Sequence, residues 1–418
     1  MHIVFFNRAY FPEVSATSQL LTELTEGLAR EHGCQISVVA GMPQGTPSKG
    51  WQPPKGWGIV RKERAGQILI LRAWGTRWSK RTLLGRIANY LTYFASSCWA
   101  TLHLNRPDVV IALTDPPVVG LAALLAAHRF GCPLVISYRD LFPEVSRLID
   151  GKCRPFIEWA LHRVNRILIH CASRIIALGE DMRQRLISEK GAHPDQVVII
   201  PDWADTTLIS PSPKRNRFSL EQGVADRFVV MHSGNIGLSQ NLGVVVEAMG
   251  ELRDLPNLMF LIVGDGVQKE ALQEQVRGAG LQNVRFLSYQ PRDVMAQSYA
   301  TADCFIVSLK PGLAGYITPS KLYGILAAGR PYVAAVEPSC DVARVTQKYR
   351  CGLLARPEDP SDIAEKIRRF HADPNLAREL GANARKASED FSQAKGVLEY
   401  FRLCQELRYH TAQTGGRR

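Results

Sequence analysis

Runs of β-branched and apolar residues alternate with helical patterns through most of the chain, and this alternation constrains the fold more than any other feature. In the first half the expected strands are His2–Phe6, Gln35–Ala40, Asp108–Leu113, Leu134–Tyr138, Arg174–Leu178 and Val197–Ile200. In the second half they are Phe228–His232, Leu258–Gly264, Val284–Leu287, Asp303–Ser308 and Tyr332–Val336. Several are apolar on both faces, as strands of a parallel sheet covered by helices must be. Helical stretches such as Ser18–His32, Val118–Phe130, Asn241–Leu252 and Pro360–Asp373 lie between them. The fold class expected is α/β, with doubly wound parallel sheets.

A chain of 418 residues is too long for one ordinary core. The βα pattern breaks in a polar segment from Pro201 to Asp226 and starts afresh at Arg227. Two Rossmann-like domains are therefore expected, residues 1–203 and 204–391. Ligands bind at the strand C-terminal ends of such sheets, so a cleft between the domains is the expected active site.

Composition excludes several classes. The nine cysteines are scattered singly with no Cys-x-x-Cys pair, which points to reduced thiols in a cytoplasmic protein and to no metal site. The segment MHIVFFNRAYFPE has no charged n-region, and the longest apolar stretch, Val118–Ala127, is far short of the ~20 residues of a spanning helix. The formal charge of +12 is uneven: residues 49–106 hold eleven Lys and Arg and one acid, Glu63. Nucleic acid and anionic lipid are both candidate partners for such a stretch, but no nucleic-acid-binding motif accompanies it.

Four clusters carry candidate chemistry. In Pro319-Ser320-Lys321, Ser320 can cap a helix that runs to Gly329, and free amides with Lys321 suit a diphosphate. It follows a glycine-bearing loop, Gly312 to Gly315, Tyr316 and Ile317. The turn His232-Ser233-Gly234-Asn235-Ile236-Gly237 joins a strand to a helix, where glycines let backbone approach a phosphate, and Gly264 and Gly266 end the next strand. A capped helix and tight βα turns would explain the same residues without a ligand. In the first half, Ser15 and Thr17 stand at the first βα turn and either cap the helix or face an anion. Arg139, Asp140 and Glu144 follow a buried strand, where the carboxylates either serve an acceptor or pair with Arg139 or Arg147.

Together, the Ser-Ala-Thr-Ser-Gln-Leu-Leu helix start, Asp115-Pro116-Pro117, Arg139 to Glu144, Pro201-Asp202-Trp203-Ala204-Asp205, Gly234 to Gly237 and the Pro-Ser-Lys…Ala-Ala-Gly-Arg-Pro block resemble the retaining GT-B glycosyltransferases of family 4, the group 1 transferases. The resemblance is strongest to the branch that builds bacterial exopolysaccharides such as colanic acid and O-antigen-type sugars. It implies transfer of a hexosyl or N-acetylhexosaminyl group from a UDP- or GDP-linked donor, with retention and with no cofactor or divalent metal. The donor would lie on the second domain, its base near Gly264–Gly266 and Tyr289–Val294, its diphosphate at Gly234, Asn235, Gly237, Ser320 and Lys321, its sugar at Gly312–Ile317. The first domain would hold the acceptor, and the helix at 392–412 would pack back onto that domain.

Two departures from the family pattern matter. Its Glu-x7-Glu positions read Tyr316 and Gly324, and its phosphate-turn Arg and Lys read Asn235 and Gln240. Lys321 is expected to supply the lost charge and Asp341 to stand in for a ribose-binding acid. The catalytic residues expected are Lys321 and Asp140. Between Arg72 and Trp99, the basic residues Arg77, Lys80, Arg81 and Arg86 alternate with Trp74, Trp78, Tyr90, Tyr93 and Phe94, which suits a helix at an anionic membrane surface or a core helix with a basic face. The acceptor expected is a polyprenyl-diphosphate-linked saccharide, met at the inner face of the plasma membrane. A nucleotide-sugar 2-epimerase and an inactive scaffold subunit are the alternatives of the same fold.

Overall fold

A computed structural model describes residues 1–13, 15–43, 58–79, 82–150 and 154–415. In chain order the first elements are β1 (His2–Phe6), α1 (Ala16–His32), β2 (Gln35–Gly41), β3 (Val60–Ala65), β4 (Ile68–Ala73), α2 (Leu83–Ala100), β5 (Val109–Leu113), α3 (Val119–Phe130), β6 (Leu134–Ser137), α4 (Glu144–Asp150), α5 (Pro155–Cys171), β7 (Arg174–Ala177), α6 (Glu180–Ser188) and β8 (Val197–Ile199). There follow α7 (Arg217–Glu221), β9 (Phe228–Ser233), α8 (Leu242–Glu251), β10 (Leu258–Val263), α9 (Lys269–Gly278), β11 (Val284–Leu287), α10 (Arg292–Thr301), β12 (Cys304–Ser308), α11 (Lys321–Ala327), β13 (Tyr332–Ala335), α12 (Asp341–Tyr349), β14 (Leu353–Ala355), α13 (Pro360–Ala372), α14 (Pro374–Ala387) and α15 (Gln393–Gly415).

The chain divides into two compact units. The first comprises Met1–Glu144, Cys153–Pro201 and Ala394–Arg418, the second Val145–Lys152 and Asp202–Gln393. The first unit holds one sheet in the order β3-β4-β2-β1-β5-β6-β7-β8, parallel except where β3 pairs antiparallel with β4. β1 and β5 are buried along their whole length, as a central parallel strand requires. The hairpin β3–β4, turned at Gly66 (φ +58°), is not legible in the strand pattern. β3 reads Val-Arg-Lys-Glu-Arg-Ala and is half exposed, the polar composition of a solvated edge.

The last helix, α15, is held in the first unit by close packing. Gly27 of α1 faces Val397 so closely that a Cβ there would meet Val397 Cγ2 at 2.7 Å. The His32 ring stacks on Phe401 at 4.1 Å, and Arg174 pairs with Glu406 at 2.7 Å. In the second unit the six strands run in the order β11-β10-β9-β12-β13-β14, all parallel. By position in this unit that order is 3-2-1-4-5-6, the dinucleotide-binding arrangement, which reverses direction between β9 and β12. The segment Val145–Lys152 groups with this unit rather than with the half that contains it in sequence, because Leu148 and Ile149 pack on its core.

Candidate functional site

In the second unit, β9 and β12 pair only through Val230–Cys304 and Met231–Phe305, so their C-terminal ends are unpaired at the reversal point. The turn after β9, the loop after β12 and Lys321 meet at these ends. His232 is the penultimate residue of β9 and fully buried. The Lys321 Nζ lies 3.4 Å from both His232 ring nitrogens. Burial pushes the Lys321 ammonium down from 10.5 to about 7. Burial and then the Lys321 amine depress the His232 imidazole well below its ordinary value, although its contact with the Asn235 carbonyl at 3.3 Å acts the other way. A neutral imidazole thus packs under an amine that is poised to take a proton.

The glycines perform a different task from the one their motif suggests. A Cβ on Gly264 (φ +149°) would lie 1.9 Å from the Gly234 carbonyl, and one on Gly266 (φ +159°) would lie 2.2 Å from that of Ile236. Only glycine lets these two turns stack backbone on backbone. The Gly234 N–H donates to Val263 O at 2.9 Å, and the Gly237 N–H donates to Gln240 Oε1 at 2.9 Å. Neither amide is open to a diphosphate, which corrects the expectation from the Gly-x-x-Gly turn.

The helix start is corrected too. α11 has seven residues and takes no side-chain cap from Ser320, whose backbone is itself helical, while Gly329 (φ +63°), just past the C-cap Ala328, is the stop expected. The Leu322 and Tyr323 amides bond back to Pro319 and Ser320, so few amides face outward and the side chain of Lys321 carries the positive charge. A Cβ on Gly324 would meet the Tyr299 ring and hydroxyl at 3.0 Å, so the space a family Glu would take is filled by Tyr299, which bonds Ser233. Tyr316 is buried, and its amide and that of Ile317 both donate to Leu313 O, closing the turn that contains Gly315 (φ +80°). Asp341 pairs with Arg344 at 2.5 Å. The carboxylate that reaches the glycine loop is Glu337, which accepts from the Gly312 amide at 2.9 Å and which the motif reading passed over. Tyr289, more than half exposed, donates to Asp265 O at 3.4 Å beside Gly264 and Gly266.

The first unit presents its own reversal point, between β1 and β5. Arg8 follows β1 and pairs with Asp115 at 3.1 Å and with Glu13 at 3.4 Å. Burial opposes its charge, but Asp115 and Glu13 outweigh burial and raise its pKa. Asn7 Oδ1 and Arg8 Nε are buried with no hydrogen-bond partner among the described residues. The pattern reading missed Arg8 because an isolated Arg after a strand carries no motif. Ser15 caps α1, accepting from Ser18 N at 3.3 Å, and Thr17 lies half-buried in its first turn. The Arg139 amide donates to Thr114 Oγ1 at 3.0 Å, which brings the Arg139-Asp140 turn to the end of β5. Glu144 is buried and pairs with Lys190 at 2.5 Å, a partner 46 residues away rather than Arg139 or Arg147. Its carboxylate is thus engaged within the fold. Lys321 and Asp140 belong to different units.

The basic segment is not one helix. Arg72 lies in β4, fully buried, with Nε 2.7 Å from Glu63 Oε2, and Tyr93 is buried with its hydroxyl donating to Val39 O at 3.2 Å. Arg77 and Trp78 are exposed on the loop between β4 and α2. Lys80 and Arg81 lie outside the described residues. A cavity of about 510 Å³ lies against Arg61, Trp74, Arg77 and Trp78.

Two family models match: "Glycosyl transferase 4-like domain" over residues 16–203 and "Glycosyl transferases group 1" over residues 215–387. WcaI of Escherichia coli (strain K12), named for a colanic acid biosynthesis glycosyl transferase, is 25% identical over 383 residues, covering 88% of this chain and 91% of that protein. WbjE of Pseudomonas aeruginosa, named as a glycosyltransferase, is 27% identical over 302 residues, covering 70% of this chain and 73% of that protein. Among solved structures, Anabaena Alr3699/HepE in complex with UDP and glucose superposes with a TM-score of 0.72 at 17% identity, over 97% of this chain and 100% of that one. That likeness is one of fold. The chain belongs to the group 1 glycosyl transferases, a GT-B glycosyltransferase whose glycosyl transferase 4-like domain precedes its group 1 domain.

Proposed function

We propose that the chain transfers a sugar from a nucleotide diphosphate donor, held at the β9/β12 reversal point of the second unit, to a polyprenyl-diphosphate-linked saccharide at an anionic membrane surface. The product would enter a bacterial surface polysaccharide, as the name of WcaI suggests for that relative. The observation that carries the reading is Lys321, whose amine stands over a buried neutral histidine at the strand ends. In the reaction the bond from the anomeric carbon to the diphosphate oxygen breaks while negative charge gathers on the phosphate. A cation that meets this charge more strongly in the transition state than in the ground state accelerates the step. Lys321 has that place, and Tyr289 beside Gly264–Gly266 suits the base. The loop Gly312–Ile317, which Glu337 holds at the Gly312 amide, suits the sugar.

Transfer is proposed to retain configuration, the acceptor hydroxyl attacking from the face that the diphosphate leaves. The new bond forms from acceptor oxygen to anomeric carbon, and the acceptor's proton passes to a phosphate oxygen. Asp140 and Arg139, at the strand ends of the first unit, orient the acceptor. The place of work is the cytoplasmic side of the plasma membrane, with no cofactor. Lys321→Ala is expected to abolish transfer from UDP- and GDP-sugars in membrane extracts while thermal unfolding stays unchanged. Near-normal turnover of that variant, or a product of inverted configuration by NMR of the new linkage, would contradict the reading.

A further inference from the structure

Three helices of the first unit form one layer. α3 packs against α2 on one side and α5 on the other, and Gly120 of α3 lies so close to α5 that a Cβ would meet Leu168 Cδ1 at 2.6 Å. On the outer side of this layer stand large apolar residues that the core does not use. On α2, Leu84, Leu91 and Trp99 recur at intervals of seven and eight residues, two helical turns, and so project to one side. On α5, Phe156, Trp159 and Ile167 share a side opposite the buried Asn165, Leu168 and Ile169. Leu125 of α3 continues the surface between them. These seven are each between 46% and 75% exposed.

The exposed charges on the outer sides of these helices are of one sign. Exposed on the same sides are Arg129, Arg163 and Arg166, with His128 and His170. The Arg163 guanidinium sits over the Trp159 ring at 5.7 Å, and Phe156 stacks on Trp159 at 6.0 Å. α2 and α3 contain no Asp or Glu. The one carboxylate of α5, Glu158, is turned inward and lies 3.8 Å from His162. A protein partner would have to bring a matching acidic patch, whereas aromatic residues interleaved with arginine, with no outward carboxylate on these three helices, complement an anionic lipid headgroup region directly. No helix among the described residues is long and apolar enough to cross a membrane, so the surface would lie on the bilayer.

We infer that the outer face of α2, α3 and α5 is a membrane-docking surface that seats the first unit flat on anionic lipid, with α5 as an anchor separate from the basic loop at Arg77 and Trp78. The surface rests on the membrane-acceptor reading for its purpose alone. Flotation without transfer to any lipid acceptor would keep the surface and remove that reading. Transfer to a lipid acceptor by a protein that does not float would do the reverse.

The test is flotation of the full chain with phosphatidylglycerol–phosphatidylcholine vesicles and with phosphatidylcholine vesicles at low salt. The wild type is expected to float with the first and not the second. The double variants Phe156→Ser/Trp159→Ser and Arg163→Glu/Arg166→Glu, all on the exposed side of α5, should each lower the partition coefficient by about tenfold or more. Both should keep wild-type binding of UDP, which shows the rest of the molecule folded. Equal flotation of wild type and variants, flotation independent of lipid charge, or a wild-type dimer by light scattering that the variants convert to monomer would overturn the proposal.

Discussion

A lysine held partly out of water gives up its proton more readily than one in solvent, and an arriving anion reverses that balance. Burial brings Lys321 from 10.5 down to about 7. Between these values the unfolded chain holds a proton that the empty native site lacks, so this group makes native stability rise with pH through that window. A diphosphate that restores the charge must then draw a proton from solution. Calorimetry of UDP binding at about pH 8, in buffers of differing ionisation enthalpy, is expected to show uptake of close to one proton, falling toward zero at about pH 6. Lys321→Gln should show none at either pH, and uptake unchanged by that substitution would place the proton elsewhere. The sequence motif singled out Lys321 but gave no role to His232, because burial, not spacing, turns that histidine into the floor of the amine's site. The reverse error fell on Arg72, which composition counts with the basic surface and which the fold spends inside, on Glu63. Charge of one sign along the chain does not reveal which charges will be desolvated.

At the scale of elements, the parallel strands other than β4 and the three-residue β14 were legible because both their faces are buried and their apolar runs are continuous. The β3–β4 hairpin was not, since an edge strand with one solvated face looks like a polar loop. The loop that follows it is held by Thr92, which accepts from the Thr76 amide at 2.9 Å, and by a buried side-chain amide. Asn89 of α2 accepts from the Trp78 amide at 3.0 Å and the Thr76 hydroxyl at 2.9 Å, and it donates to Trp78 O at 3.0 Å. These bonds hold Arg77 and Trp78 outward. Asn89→Ala leaves those groups without their partner, and a cost of about 1–3 kcal/mol is expected. Urea unfolding should show a lower midpoint with an unchanged slope; an unchanged midpoint would mean that solvent replaces Asn89 without loss. The direction of the apolar side of α2 stayed open for a related reason. The sequence suits a membrane-surface helix and a core helix alike, and only the packed structure shows that the side bearing Leu84, Leu91 and Trp99 faces outward.

For the whole molecule, alternating strands and helices sufficed for two doubly wound halves, and the 3-2-1-4-5-6 order of the second then located a reversal point at β9 and β12. The chain does not divide as a simple cut, because Val145–Lys152 joins the second unit and α15 the first. Such exchanges depend on long-range packing, on Leu148 and Ile149 in one case and on Val397 against Gly27 in the other, and no local pattern announces them. The division gives the account its central claim: the donor nucleotide is bound by the second unit through Lys321, and the first unit does not take part in holding its diphosphate. Titration of UDP into the wild type, Lys321→Gln and Asp140→Asn measures this directly. The account predicts that Lys321→Gln weakens UDP by about tenfold or more, as loss of a charge-assisted contact should, while Asp140→Asn binds UDP as the wild type does. Wild-type affinity in Lys321→Gln, or a comparable loss in Asp140→Asn, would contradict it.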